Sequence, residues 1–218
     1  MAADRKGECW AVVAASEQGK GVWIKQQLKA RRPARLLIWD RVDEYAAHAT
    51  KVLKLADLAR QSKPEKFALR YVPRSTSQKS FAAEFDMFCR IAFAAIGATI
   101  LVEELSDVTS PSYAPPAWRR LNSMGRHHQG LTVIGCSQSP ASIDKTFLGN
   151  ATLLHVGFIG QASHRRAVAA ELDINPEEIR SLKRFQFVEL DRSSGKLSRG
   201  SVTLRGSAIG LKVVAKRA

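Results

Sequence analysis

Lys20 lies in a short loop, Ser16-Glu17-Gln18-Gly19-Lys20-Gly21-Val22, that follows an apolar run at residues 10–14 and opens onto an amphipathic stretch ending near Leu28. A strand, a tight glycine-lysine loop and a helix together aim backbone N–H groups and a helix N-terminus at phosphate, with the lysine reaching the outer phosphates. The usual pattern is G-x-x-x-x-G-K-[ST]. Gly19 and Lys20 match it, Ala14 replaces the first glycine, and Gly21 stands where a magnesium-binding hydroxyl is expected. Glu17 adds a negative charge to the same loop.

Two further groups follow in order. Thr99-Ile100-Leu101-Val102 ends in Glu103-Glu104, which places two carboxylates at the carboxyl end of a buried strand, where open α/β sheets bind ligands. Hydrolysis of a nucleoside triphosphate needs one acid for Mg²⁺ and another to orient the attacking water. Glu103 is assigned to the metal and Glu104 to the water. Thr132-Val133-Ile134-Gly135-Cys136 is a second apolar strand, ending in Ser137-Gln138 before Pro140. If it neighbours the glutamate strand, Gln138 reaches the γ-phosphate or the water. Read singly, the acids also fit a strand merely surfacing, and Gln138 fits a polar turn.

These residues need a scaffold, and the chain alternates strand-like and helix-like segments throughout. Strands are expected at 35–39, 67–72, 98–102, 131–136 and 151–159. Helices are expected at 56–61, 80–96, 117–124 and 161–172, the second capped within Ser75–Ser77 with Phe81, Phe85, Phe88, Ala92 and Ile96 on its apolar face. Continuously apolar strands alternating with helices predict an α/β fold, a mostly parallel sheet with helices on both faces. Residues 1–191 are assigned to that domain. Residues 192–218 hold seven bases and no acid, and form a basic C-terminal appendage, either a hairpin of 202–204 with 211–214 or a tail.

The 218 residues carry 34 Lys and Arg against 20 Asp and Glu, a net +14 that favours a polyanionic partner. Three separated cysteines give neither a disulfide framework nor a zinc cluster, and His127-His128 reads as solvated loop histidine. The longest apolar run, 91–102, is too short for a membrane span, and the N-terminus lacks an apolar leader, so a cytoplasmic location is expected.

A Gly-Lys loop, paired acids about eighty residues later, and a strand ending in Ser-Gln-Ser-Pro after a Gly125-Arg126-His127 corner resemble the FtsK–HerA branch of RecA-like P-loop ATPases. The resemblance spans roughly residues 8–172 and is strongest from Glu103 to Pro140. By size it points to the small genome-packaging ATPases of viruses and phages, beside the zonula-occludens-toxin-like assembly proteins. It implies ATP and Mg²⁺ as cofactors, Gly19 in the phosphate cradle, Lys20 on the β/γ-phosphates, Glu103 and Glu104 as the acid pair, and Gln138 as sensor. It also implies a homo-oligomeric ring, a possible capsid portal or vertex partner, and an arginine finger donated by the neighbouring subunit. Arg126 is the first candidate for that finger, then Arg119 and Arg120, then Arg165 and Arg166.

Double-stranded DNA is the expected polyanion. Lys25, Lys29, Arg31 and Arg32 lie along one helix in a segment, residues 19–39, that contains no acid, which suits backbone contact without sequence reading. Two rivals stay open. Gly21 also fits the G-K-G-[ST] loop of adenylate-kinase-like enzymes, although Val22 supplies no hydroxyl, and so allows a nucleotide or small-molecule kinase. A nucleic-acid-binding module on a degenerate P-loop, with little hydrolysis, fits as well.

Overall fold

The computed structural model describes residues 7–75 and 77–203. The described strands are β1 (Cys9–Val13), β2 (Arg35–Trp39), β3 (Thr50–Val52), β4 (Phe67–Tyr71), β5 (Thr99–Val102), β6 (Thr132–Ser137), β7 (Leu153–Gly157), β8 (Gln186–Asp191) and β9 (Lys196–Ser201). They form one sheet in the order β3-β4-β2-β5-β6-β1-β7-β8-β9. Strands β1 to β7 run parallel, and β8 and β9 add an antiparallel edge. The helices are α1 (Lys20–Arg31), α2 (Leu55–Gln61), α3 (Gln78–Ala94), α4 (Pro116–His128), α5 (Lys145–Asn150), α6 (Ala162–Leu172) and α7 (Pro176–Ser181).

The central strands are apolar over most of their length because both faces are covered. Alternate residues therefore enter two cores. Ala11, Val13, Leu37, Trp39, Ile100 and Val102 face the larger one, with Phe85 of α3, Trp118 of α4 and Val168 of α6. Trp10, Val12, Leu36, Ile38, Leu101 and Ile134 face the smaller one, roofed by Trp23, Ile24 and Leu28 of α1 together with Tyr45. One helix thus covers much of one face, and its first residue is the lysine of the phosphate loop.

The alternation of strands and helices is as expected, with differences at the margins. Strands β3, β8 and β9 and helices α5 and α7 were not anticipated. The third helix ends at Ala94, so Ile96 falls outside its apolar face and is 62% exposed. Gly97, at φ +71, turns the chain there and donates its N–H to the Gln129 carbonyl at 2.8 Å. The fourth helix continues to His128, which puts the Gly-Arg-His corner inside its last turn.

The expected boundary at 191/192 falls in the turn of the β8–β9 hairpin, which continues the same sheet. Arg192 is built into that turn. Its guanidinium donates to the carbonyls of Leu148, Gly149 and Ala151 and to the Glu171 carboxylate. The strands expected at 202–204 and 211–214 lie outside the described residues from position 204 onward.

Candidate nucleotide site

The loop before α1 leaves the middle of the sheet. The β1 strand lies between β6 and β7, and its exit is tied to both: Ala14 N–H donates to the Ser137 carbonyl at 3.3 Å and Ala15 N–H to the Phe158 carbonyl at 2.8 Å. Ala14, which replaces the usual first glycine, is accommodated by its neighbour. A Cβ on Gly157 would come within 2.9 Å of the Ala14 methyl, so the glycine on the adjacent strand leaves room for that methyl. Gly19 is irreplaceable on two counts. Its φ is +100, and a Cβ there would meet Phe185 Cδ1 at 2.8 Å. Arg184 Nε holds the Glu17 carbonyl at 3.1 Å, while the Ser16 and Glu17 side chains are exposed. No acidic residue sits in the first turn of α1, so its N-terminal N–H groups keep their positive end.

The β5 strand runs beside β6, with Val102 opposite Gly135, so the condition placed on Gln138 is met at the level of the strands. Lys20 Nζ lies 3.5 Å from Glu104 Oε2, with both side chains largely buried. Glu104 has φ +49 and caps a 3-10 turn at Leu105–Asp107, and this turns its carboxylate across toward β6. Its Oε1 accepts from Ser106 Oγ at 2.6 Å, Ser137 Oγ at 3.0 Å and Gln138 N–H at 3.1 Å. Burial alone would raise this carboxyl, but Lys20 and the three donors outweigh it and hold Glu104 below the ordinary value.

Glu103 behaves in the opposite way. It is 8% exposed, and burial, then the nearby Asp40 and Glu44 charges, push its carboxyl up to about 7 against the pull of Lys20 and the Tyr45 hydroxyl beside it. Neither Glu103 Oε2 nor the Tyr45 hydroxyl makes a well-formed hydrogen bond among the described residues, although the two groups lie beside each other. Asp40 ends β2, the other neighbour of β5, and is fully buried. It accepts from Glu44 N–H at 2.9 Å, Tyr45 N–H at 3.1 Å and Arg70 Nη1 at 2.8 Å.

Among the described residues no three His, Cys, Asp or Glu side chains gather closely enough to hold a metal by themselves. Mg²⁺ keeps several waters and binds through one or two carboxylates plus substrate phosphates. The orphaned Glu103 oxygen fits such an ion.

This chain is 30% identical over 176 residues to Protein P9 of Pseudoalteromonas phage PM2, a match spanning 79% of the chain and 78% of that protein. The chain belongs to the Protein P9 family. No family model matches the chain. Its fold is that of the genome packaging NTPase B204 from Sulfolobus turreted icosahedral virus 2, solved with sulfate (TM-score 0.75, 18% identity, 91% of this chain and 98% of that one). The N-terminal domain of zonular occludens toxin from Neisseria meningitidis is similar at TM-score 0.51, 13% identity, 92% and 97% coverage. The bacterial conjugative coupling protein TrwB is similar at TM-score 0.69, 10% identity, 94% and 86% coverage. The resemblance to FtsK–HerA-type P-loop ATPases is therefore borne out in the fold.

The P9-family fold gathers Gly19, Lys20, Gly21, Glu103, Glu104 and the Gln138 main chain at the carboxyl ends of β1, β5 and β6. The Gln138 side chain is exposed, and it is Ser137 whose side chain grips Glu104. Asp40, Glu44 and Ser106 belong to the same neighbourhood and were not singled out from the sequence. Asp40 carried a signal, an acid at the end of an apolar strand, like Glu103.

The arginines lie elsewhere. Arg126 is at the amino end of the sheet, its guanidinium 2.8 Å from His127 Nε2. Arg120 packs over the Phe93 ring at 4.2 Å, while Arg119 and Arg166 are exposed. Arg165 is buried, donating to the Ile159 and Gly160 carbonyls. Of the basic residues on α1, Lys25 pairs with Glu44 at 3.3 Å and Arg31 with Glu8 at 3.0 Å. Lys29 and Arg32 are exposed and make no ion pair among the described residues. No helix among the described residues is long and apolar enough to cross a membrane.

Proposed function

We propose that the chain is an ATPase that drives translocation of double-stranded DNA, working as a homo-oligomeric ring in phage genome packaging. The observation that carries this reading is the Lys20–Glu104 contact: a phosphate-loop lysine and a strand-end carboxylate, 84 residues apart in sequence, meet where the parallel sheet opens. The names of the fold relatives agree with it, since B204 is titled a genome packaging NTPase and has been solved with AMPPCP and ATP-gammaS.

In this reading the N–H groups of residues 16–22 and Lys20 hold the phosphates. A triphosphate entering the loop competes for Lys20, and Glu104, relieved of that partner but still ionised, turns to the attacking water as its base. Ser137 and Ser106 aim it. Gln138 follows the γ-phosphate from the end of β6. Glu103 would hold Mg²⁺, directly or through water, and the ion would supply positive charge against the charge that develops on the phosphates. An arginine from the neighbouring subunit completes the site, and such a finger is worth ~10³–10⁵ in turnover. Arg126 remains the first candidate, because it lies at the amino end of the sheet, away from its own chain's loop. Lys25, Lys29, Arg31 and Arg32, with the basic C-terminus, track the DNA backbone; a portal or vertex protein of the capsid is the docking partner, in the host cytoplasm or on the virion.

Phosphate release, with and without duplex DNA, tests this reading. The wild type should hydrolyse ATP faster with DNA, while Lys20→Ala and Glu104→Gln should each abolish the stimulation. Stimulation that survives both substitutions overturns the assignment. Transfer to an acceptor without response to DNA would mark a kinase, and DNA binding without turnover a binding module.

A further inference from the structure

The phosphate loop lacks its magnesium-binding hydroxyl at Gly21, and the structure brings another oxygen to that position. A Cβ built on Gly21 would lie 3.8 Å from Glu44 Oε2 and within 4 Å of nothing else beyond its own helix and chain neighbours. The Glu44 backbone is fixed there. Asp40 accepts its N–H and that of Tyr45, and Asp40 is itself clamped by Arg70. Only the Glu44 side chain is free to adjust, with Lys25 Nζ at 3.3 Å as its ion-pair partner. A second observation points to a cation nearby, since Glu103 and Glu44 lie close enough for each to feel the other's charge. Glu103 is 8% exposed, its Oε2 makes no well-formed hydrogen bond among the described residues, and its N–H is bonded to the Trp39 carbonyl of the strand that leads into Asp40. Glu103 follows Leu101 by two residues, so it faces the side of the sheet that α1 covers.

The geometry points to Glu44 as a ligand of the nucleotide's magnesium, a carboxylate that takes the place of the missing Ser or Thr hydroxyl. This rests on the nucleotide-site reading above. It accounts for the tolerance of glycine at position 21: with a carboxylate reaching in from the β2–β3 loop, the helix needs no side chain of its own.

Calorimetric titration of a non-hydrolysable β,γ-methylene ATP analogue across a Mg²⁺ series tests the assignment without turnover. Removing one ligand should raise the half-saturating Mg²⁺ concentration for tight binding of Glu44→Gln by about tenfold or more. Affinity in EDTA should stay unchanged or improve. Glu44→Asp should fall between the two. The double variant Glu44→Gln/Gly21→Ser, which restores a hydroxyl where there is room for it, should return to within about threefold of wild type. A Mg²⁺ requirement that stays within twofold of wild type in Glu44→Gln overturns this inference alone. Failure of the wild type to bind the analogue at any Mg²⁺ concentration overturns the nucleotide-site reading beneath it.

Discussion

The two ends of this sheet hold the same kinds of residue and put them to different uses. At the amino end a cleft of about 600 Å³ is lined by Trp10, Arg31, Arg126, Asn150, Thr152 and Arg192. It has volume and positive charge, yet its cations are engaged. Arg31 pairs with Glu8 and lies 4.1 Å from the centre of the Trp10 ring, Arg126 rests against His127, and Arg192 closes the ends of α5 and α6. At the carboxyl end there is unfinished chemistry. A lysine and a carboxylate face each other, a buried carboxylate oxygen makes no well-formed hydrogen bond, and a left-handed glycine opens a helix N-terminus. Unsatisfied polar groups cost free energy and persist where a ligand completes them.

Substitutions can break this contrast, and the largest effect belongs at the carboxyl end. Glu104→Gln should lower turnover by about 10²–10⁴, the usual worth of a general base, while nucleotide affinity holds, as separate phosphate-release and binding assays would show. Next in size is a structural effect beside the site. Arg70 and Asp40 form a buried pair, so Arg70→Ala leaves Asp40 uncompensated and should cost about 3–5 kcal/mol in urea unfolding.

The adjacent glutamates predict opposite responses to pH. Glu103 keeps its proton when folded up to about 7, whereas the unfolded chain releases it near 4.5. The folded state then binds more protons across that window, so this group's contribution falls as pH rises through it. Glu103→Gln cannot ionise, and its melting temperature should gain on the wild type between pH 5 and 8. Glu104, held below its ordinary value, contributes stability above that value and loses it as pH falls. Glu104→Gln should therefore lose ground to the wild type as pH rises through the acid range up to about 4.5, with no further change between pH 5 and 8. The smallest effect belongs at the amino end. The Arg31–Glu8 pair is half exposed, so Arg31→Ala should change stability by about 1 kcal/mol or less and leave nucleotide affinity untouched.

Much of this was readable in the chain because the central strands are buried on both faces. Ile100–Val102 and Val133–Cys136 are apolar without a break, and the polar residues that end them, Glu103-Glu104 and Ser137-Gln138, stand out for that reason. Strands β8 and β9 cover an edge and mix apolar with polar residues, so Gln186–Asp191 and Lys196–Ser201 carried no such contrast. The role of Asp40 and Glu44 was illegible for a topological reason: β2 and β5 are 60 positions apart in sequence, and only their pairing sets Asp40 beside Glu103. The room that Gly157 leaves for the Ala14 methyl was hidden in the same way, since it spans two strands.

The central claim is that phosphate belongs at the carboxyl end of the sheet and not in the amino-end cleft. A crystal structure with Mg²⁺ and a non-hydrolysable ATP analogue tests it directly. The triphosphate should lie over Gly19-Lys20, with Lys20 turned from Glu104 to the phosphates and the amino-end cleft empty of nucleotide. Phosphates bound among Arg31, Arg126 and Arg192, with the Lys20–Glu104 pair intact, would contradict it.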